Sequence, residues 1–256
     1  MQKLSSATEQ KKPARKICRN VFFLADVQGT GWWRRVLPIV TTDAICNATG
    51  IVNTYSLDFI PLPRYYEGMN SVTVQRWLSN EQRNAFEKFL VPVTRKTGTK
   101  LIYEIDDAMG ADDIPLYNRG HDCFDNEQFQ DNIKYMLNAA DIVTVTTSYI
   151  KEYYNRKYGV PLDRIVAVPN LLSRMWFGDR YDPERKLKQF SHYKSRPRIG
   201  IVSSLSHYNT HGAKDANGEL VKDDFDLIAD VICDTVDEFQ WVIVGHVPER
   251  MKPLVE

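Results

Sequence analysis

Short apolar runs alternate with amphipathic stretches along almost the whole chain, and this alternation narrows the fold more than any other feature. "NVFFLADV" (20–27), "GIVNTYSL" (50–57), "SVTVQRW" (71–77), "KLIYEID" (100–106), "DIVTVTT" (141–147) and "RIVAVPN" (164–170) each read as a strand. Their apolar residues are nearly continuous, which marks strands buried on both faces of a parallel sheet. Between them lie helical patterns. "NEQRNAFEKFLVP" (80–92) puts Phe86, Phe89 and Leu90 at helical spacing with Val93 beyond, and Pro92 predicts an end or a kink there. "NEQFQDNIKYMLNAAD" (126–141) offers Phe129, Ile133, Met136 and Leu137 as one face. "SYIKEYYNRKYG" (148–159) turns Ile150, Tyr153 and Tyr154 inward and stops at Gly159. Strand and helix in turn predict an α/β protein built from βαβ units.

The pattern breaks once. Residues 177–196 are charged and poor in apolar side chains, and the pattern restarts with "RIGIVSS" (198–204), "DDFDLIADVICDTVDEF" (223–239) and "QWVIVG" (240–245). The division expected is a flexible basic arm over 1–18, a Rossmann-like domain over 19–176, a linker over 177–196 and a partial second domain over 197–256. Two strands and one helix bury too little surface to stand alone. The second domain is therefore expected to be incomplete, with apolar surface open around Ile228, Val231 and Trp241.

Charge and cysteines set further bounds. Thirty-three basic residues balance 33 acidic ones, which weighs against a dedicated nucleic-acid binder with a basic footprint. Cys18, Cys46, Cys123 and Cys233 are scattered without a CxxC pair, so neither a zinc site nor a disulfide framework is indicated. No apolar run is long enough to span a membrane, and the first residues lack the apolar core of a signal peptide, so a cytoplasmic location is expected.

Ligands of parallel α/β sheets sit beyond the carboxyl ends of the strands. After the first strand, "GTGWWRR" supplies Gly29 and Gly31 for close backbone approach and Arg34 and Arg35 as cationic donors; an ordinary glycine turn is the alternative. The strand at 100–106 runs into Glu104, Asp106 and Asp107. Carboxylates at such an exit accept sugar or nucleotide hydroxyls, take a proton from an acceptor, hold a metal, or cap a helix. Pro169 and Asn170 shape another exit. Ser203, Ser204 and Ser206 follow the restarted strand and offer hydroxyl and N–H groups to phosphate, while His207 and His211 lie in a loop-like setting and are not read as a metal site.

In this order, "ADVQGTGWWRRVLP", "VQRW", "LIYEIDDAM", "ADIVTVTTSYIKEYY", "VAVPNLL", "PRIGIVSSLSHYN" and "DDFDLIADVICDTVDEFQWVIVG" resemble nucleotide-sugar glycosyltransferases of the GT-B fold. More narrowly they resemble bacteriophage-type relatives with a "YEIDD" strand. The resemblance implies two Rossmann-like domains facing a cleft, the second of them incomplete here. It implies a hexosyl- or pentosyl-transferase, with a nucleoside-diphosphate sugar as donor and retention at the anomeric carbon. It places Asp106 and Asp107 at the acceptor hydroxyl as catalytic groups. Gly29, Thr30, Gly31, Arg34, Ser203, Ser204, His207 and Gly245 fall on the donor and its phosphates, and Trp32, Arg76, Glu104 and Asn170 on the acceptor. No cofactor and no divalent metal are implied. The acceptor expected is a hydroxymethylated base in phage DNA, with an envelope or protein glycan as the alternative. Two other readings stand beside this one. The acid-x-acid spacing of Glu104 and Asp106 fits a metal site of a GT-A enzyme, and a truncated relative fits a binding module without turnover.

Overall fold

The computed structural model describes residues 18–24, 34, 46–52, 63–76, 79–118, 120–170, 184, 188, 196–203, 207–245, 247, 249 and 252. Strands β1 (Cys18–Leu24), β2 (Cys46–Val52), β3 (Ser71–Gln75), β4 (Lys100–Glu104), β5 (Ile142–Val145) and β6 (Ile165–Ala167) form one six-stranded sheet in the order β2-β1-β3-β4-β5-β6. Every neighbouring pair is parallel. The fold is thus α/β and Rossmann-like, as the alternation predicts. The chain leaves β1 toward β2 on one side, then returns to place β3 on the other. This reversal makes a topological switch point between β1 and β3, where ligands of such sheets bind. The expected arm runs one residue too far, because Cys18 already opens β1. The second strand begins at Cys46, ahead of the expected position.

The core explains the apolar runs. All five residues of β3 are buried, and Leu101, Tyr103, Val143, Val145 and Ile165 join one cluster with the helices. A short helix α1 (Pro63–Tyr66) precedes β3 and adds Tyr66. Helix α2 (Asn80–Ala85) starts with a capping box between Ser79 and Gln82. The expected break at Pro92 does not occur. A π-turn over Phe86–Leu90 leads into α3 (Val91–Thr97), and Val91 N–H bonds back to Phe86 O. Proline has no N–H to give to the preceding turn and its ring crowds that turn's carbonyl; the wider π-turn accommodates both. The extra residue in the turn rotates the face: Phe86, Leu90 and Val93 are buried, while Phe89 is 45% exposed.

A short α4 (His121–Phe124) and α5 (Glu127–Ala139) follow β4. Asn126 caps α5 through Phe129 N–H, and Phe129, Ile133, Met136 and Leu137 are buried as their spacing predicts. Helix α6 (Ser148–Tyr158) is capped by Thr147 and ends at Gly159, whose φ of 70° suits glycine. Asp141 ties three elements together. It accepts from Leu101 N–H at 2.8 Å and from Arg95 Nη1 at 2.6 Å, and its own N–H reaches Leu101 O.

Beyond this sheet, β7 (Arg198–Ser203) and β8 (Gln240–Gly245) pair in parallel, with α7 (Asp224–Thr235) between them in sequence. Tyr208, Phe225 and Ile232 form a small core, against which Ile201, Ile228, Trp241 and Ile243 pack. The expected open surface is only partly where it was placed. Val231 is 51% exposed, but Ile228 and Trp241 lie against the small core. The uncovered apolar side chains are instead Val202, at 81% exposure, with Val242 and Val244 on the strands and Leu227 on the helix. Of the expected linker, only Glu184, Lys188 and Arg196 are among the described residues. No helix among the described residues is long and apolar enough to cross a membrane.

Candidate active site

The carboxyl edge of β3 and β4 gathers charge. Arg76 follows β3 directly and sits at φ 60°, the left-handed region. A side-chain-bearing residue there costs about 1–2 kcal/mol, and the surroundings hold it in place. Its N–H bonds Glu104 O at 2.8 Å. Its guanidinium forks Asp106, Nε to Oδ1 at 3.1 Å and Nη2 to Oδ2 at 3.0 Å, and Nη2 also lies 3.4 Å from Asp107 Oδ2.

Asp106 and Asp107 stand on a segment whose backbone is pinned from several sides. Ile105 N–H carries the β4–β5 ladder one residue past the strand to Thr144 O. Thr146 Oγ1 donates to Asp106 O at 2.9 Å, and Tyr154 Oη donates to Asp107 O at 2.6 Å. Tyr154 in turn accepts from Met109 N–H, and Gln130 Nε2 donates to Met109 O. The two carboxylates are therefore held in different states. Asp106 is nearly buried and committed to Arg76, whereas the Asp107 side chain is 62% exposed. Partial burial raises the Asp107 carboxyl above its ordinary value, the Asp106 carboxylate adds to the rise, and Arg76 opposes both. A reachable carboxylate with raised proton affinity is suited to accept a proton.

Glu104 ends β4 with no exposed surface and pairs with Arg34, which is itself almost fully buried. Arg34 Nε donates to Glu104 Oε1, and Nη1 donates to Val168 O at 3.0 Å and Asn170 Oδ1 at 2.7 Å. This unit joins the exits of β4 and β6. Arg34 Nη2 and Glu104 Oε2 are buried without hydrogen-bond partners among the described residues. The guanidinium charge is already balanced by Glu104, which weakens any attraction for phosphate. Both acids of the acid-x-acid spacing thus hold an arginine, Glu104 through Arg34 and Asp106 through Arg76.

The structure brings Arg34, Arg76, Glu104, Asp106, Asp107 and Asn170 to one edge. Gly29, Thr30, Gly31, Trp32 and Ser204 lie outside the described residues. Ser203 and Gly245 end β7 and β8 opposite each other in register, with Gly245 at φ 118°. His207 Nδ1 lies 2.7 Å from Asp224 Oδ2, and Tyr117 Oη donates to Asp224 Oδ1 at 2.5 Å. That bond reaches from the β4–α5 connection to α7. Asp223 caps α7 by accepting from Phe225 and Asp226 N–H. Sequence reading missed Thr146, Tyr154 and Gln130. Tyr154 carried a partial signal, since helical spacing turned it inward with a hydroxyl that needed a partner.

The chain matches no protein-family model and none of the curated proteins. Among solved structures it is similar to a glycosyltransferase from Rickettsia africae ESF-5, at 12% identity and a TM-score of 0.46, over 94% of this chain and 71% of that one. Likeness at this level speaks to neither substrate nor reaction.

Proposed function

We propose that the chain is a glycosyltransferase that moves a sugar from a nucleoside-diphosphate sugar to an acceptor hydroxyl. The observation that carries this reading is Asp107, a reachable carboxylate of raised proton affinity beside the Arg76–Asp106 fork, at the carboxyl edge of a parallel sheet. The order of the motifs that resemble GT-B enzymes supports it, as does the second parallel pair β7–β8.

In this reading the acceptor O–H gives its proton to Asp107 as its oxygen bonds the anomeric carbon from the face opposite the diphosphate, a single displacement that inverts this carbon and so departs from the retention that the resemblance implies. The bond from that carbon to the diphosphate breaks, and its electron pair leaves with the diphosphate. Asp106 and Arg76 position Asp107. The diphosphate is assigned to Gly29–Gly31, Ser203, Ser204, His207 and Gly245. Arg34 positions Glu104 and Asn170, because its charge is already matched. No metal enters the reading, since Glu104 and Asp106 each hold an arginine. The acceptor favoured is a glycan rather than a hydroxymethylated base in phage DNA. Among the described residues of this edge Arg34 and Arg76 are each already paired with a carboxylate, which leaves a phosphate backbone no unmatched cation to neutralise.

The test is a transfer assay with a panel of nucleotide-sugars, offered neutral oligosaccharides and hydroxymethylated DNA in parallel. Transfer that Asp107→Asn lowers by about 100- to 10,000-fold is expected. No turnover with any donor, or undiminished transfer by the variant, overturns the reading; ligand binding without turnover makes the chain a binding module.

A further inference from the structure

A cavity of about 370 Å³ opens between the N-termini of α2 and α5. Helices of βαβ units run back along the strands, so both N-termini lie at the carboxyl edge that carries Asp106. Ser79, on its rim, follows Arg76 by three residues, a reach of at most about 11 Å. The volume lies within the roughly 300–1,000 Å³ typical of small-molecule sites.

The lining is unusual for such a site, because side-chain amides make up half of its described residues, with the buried Phe129 behind them. Buried Asn132 organises them. Its Nδ2 donates to Asn80 Oδ1 at 2.9 Å, and its Oδ1 accepts from Gln128 Nε2 at 3.3 Å. Among the described residues Asn80 therefore keeps its N–H groups as donors, and Gln128 keeps its Oε1 as an acceptor. Asn126 spends its Oδ1 on capping and keeps its N–H groups too. Paired donors and acceptors at fixed spacing match vicinal hydroxyls, each of which gives one hydrogen bond and receives another. The charge is wrong for an anion. Among the described residues no lysine or arginine lines the cavity, while Glu81 does; Arg83 reaches Asn132 Oδ1 at 3.4 Å from outside the lining. Hydrogen bonds from its own backbone N–H and from the Ser79 hydroxyl hold the Glu81 carboxyl below its ordinary value and thus charged.

We infer that this cavity binds a neutral, hydroxyl-rich ligand, a saccharide, with its hydroxyls on Asn80, Asn126 and Gln128. That this saccharide is the acceptor rests on the glycosyltransferase reading; its binding does not.

Saturation-transfer NMR without any donor tests it, with maltotriose, N,N′-diacetylchitobiose and a single-stranded hydroxymethylcytosine oligonucleotide as probes. At least one of the two neutral sugars is expected to bind. Cys123→Trp, which fills the cavity mouth from an exposed position, is expected to abolish that binding. Gln128→Leu, on an exposed helix surface, is expected to weaken it about fivefold and serves should the first variant not fold. Binding of neither sugar, sugar binding that both variants leave intact, or a preference for the oligonucleotide at this cavity overturns the inference. Sugar binding without transfer from any donor keeps the site and removes only the transferase reading.

Discussion

Arg76 closes a two-pronged fork on Asp106, at 3.1 and 3.0 Å, from a backbone held at φ 60°. The pair spans the exits of two neighbouring strands, so the strained residue and the acid that rewards it come from different βαβ units. Position and charge are separable there. Arg76→Gly relieves the left-handed backbone, an effect of about 1 kcal/mol, yet loses the fork. Arg76→Lys keeps charge but offers one point instead of two. Both variants are expected to fold, and both to lose about 100-fold in turnover through misplacement of Asp107. Thermal melts beside kcat measurements check this; a lysine variant with full turnover removes Arg76 from the positioning role.

Asp107 predicts a pH dependence of two kinds. Its proton affinity is raised in the folded chain above the ordinary 3.8. As a base it works only when ionised, so the acid limb of kcat/KM is expected above the ordinary aspartate range and is expected to vanish in Asp107→Asn. For stability the sign is the reverse of a salt-bridged acid. The protonated form is favoured by folding, so its contribution is complete below the unfolded value and is lost as pH rises through the folded one. Asp107→Asn is therefore expected to melt higher than the parent chain at neutral pH, with the gap closing in acid. A variant that melts lower at neutral pH contradicts this.

The Arg34–Glu104 pair is a structural commitment. Removing one member of a buried pair leaves a charge without its counter-ion and costs about 3–5 kcal/mol. Glu104→Leu is expected to lose that much by urea unfolding. Arg34→Met with Glu104→Leu is expected to recover a large part, since the orphaned charge is gone. A double variant as unstable as the sum of the singles shows that the pair does not act as a unit.

Asp141 gives the opposite pH signature. Partial burial pushes its carboxyl up, but hydrogen bonds from Leu101 N–H and Arg95, with the charges of Arg95 and Lys100, outweigh it and hold it below the ordinary 3.8. Its contribution is present above the unfolded value and lost as pH falls through the folded one. Asp141→Asn is expected to cost about 1.5–3 kcal/mol at neutral pH. The difference from the parent chain shrinks in acid. A loss independent of pH assigns the effect to packing instead.

The parallel α/β class was legible because buried strands must be apolar throughout and helices on their faces apolar on one side. The stop of α6 at Gly159 was legible for a local reason too, since glycine takes the left-handed φ of 70° without strain. Pro92 was not, because its cost depends on whether the preceding turn can widen. The acids after β4 marked a charged edge, but the difference between Asp106 and Asp107 did not show: they are identical in sequence terms and differ in burial and in partner.

Local chemistry thus settled that the strands and the longer helices exist and roughly where they lie, and the arrival of three carboxylates at one strand end. Which arginine meets which acid was decided by strand order. Arg34 lies 70 residues from Glu104, and Arg76 lies 30 from Asp106. A buried carboxylate must be paired, since burying it alone is prohibitively costly, and that requirement is readable in one dimension. The identity of the partner is not, because it depends on β1, β3, β4 and β6 ending at a common edge, a fact that exists only once the sheet has closed its long-range contacts.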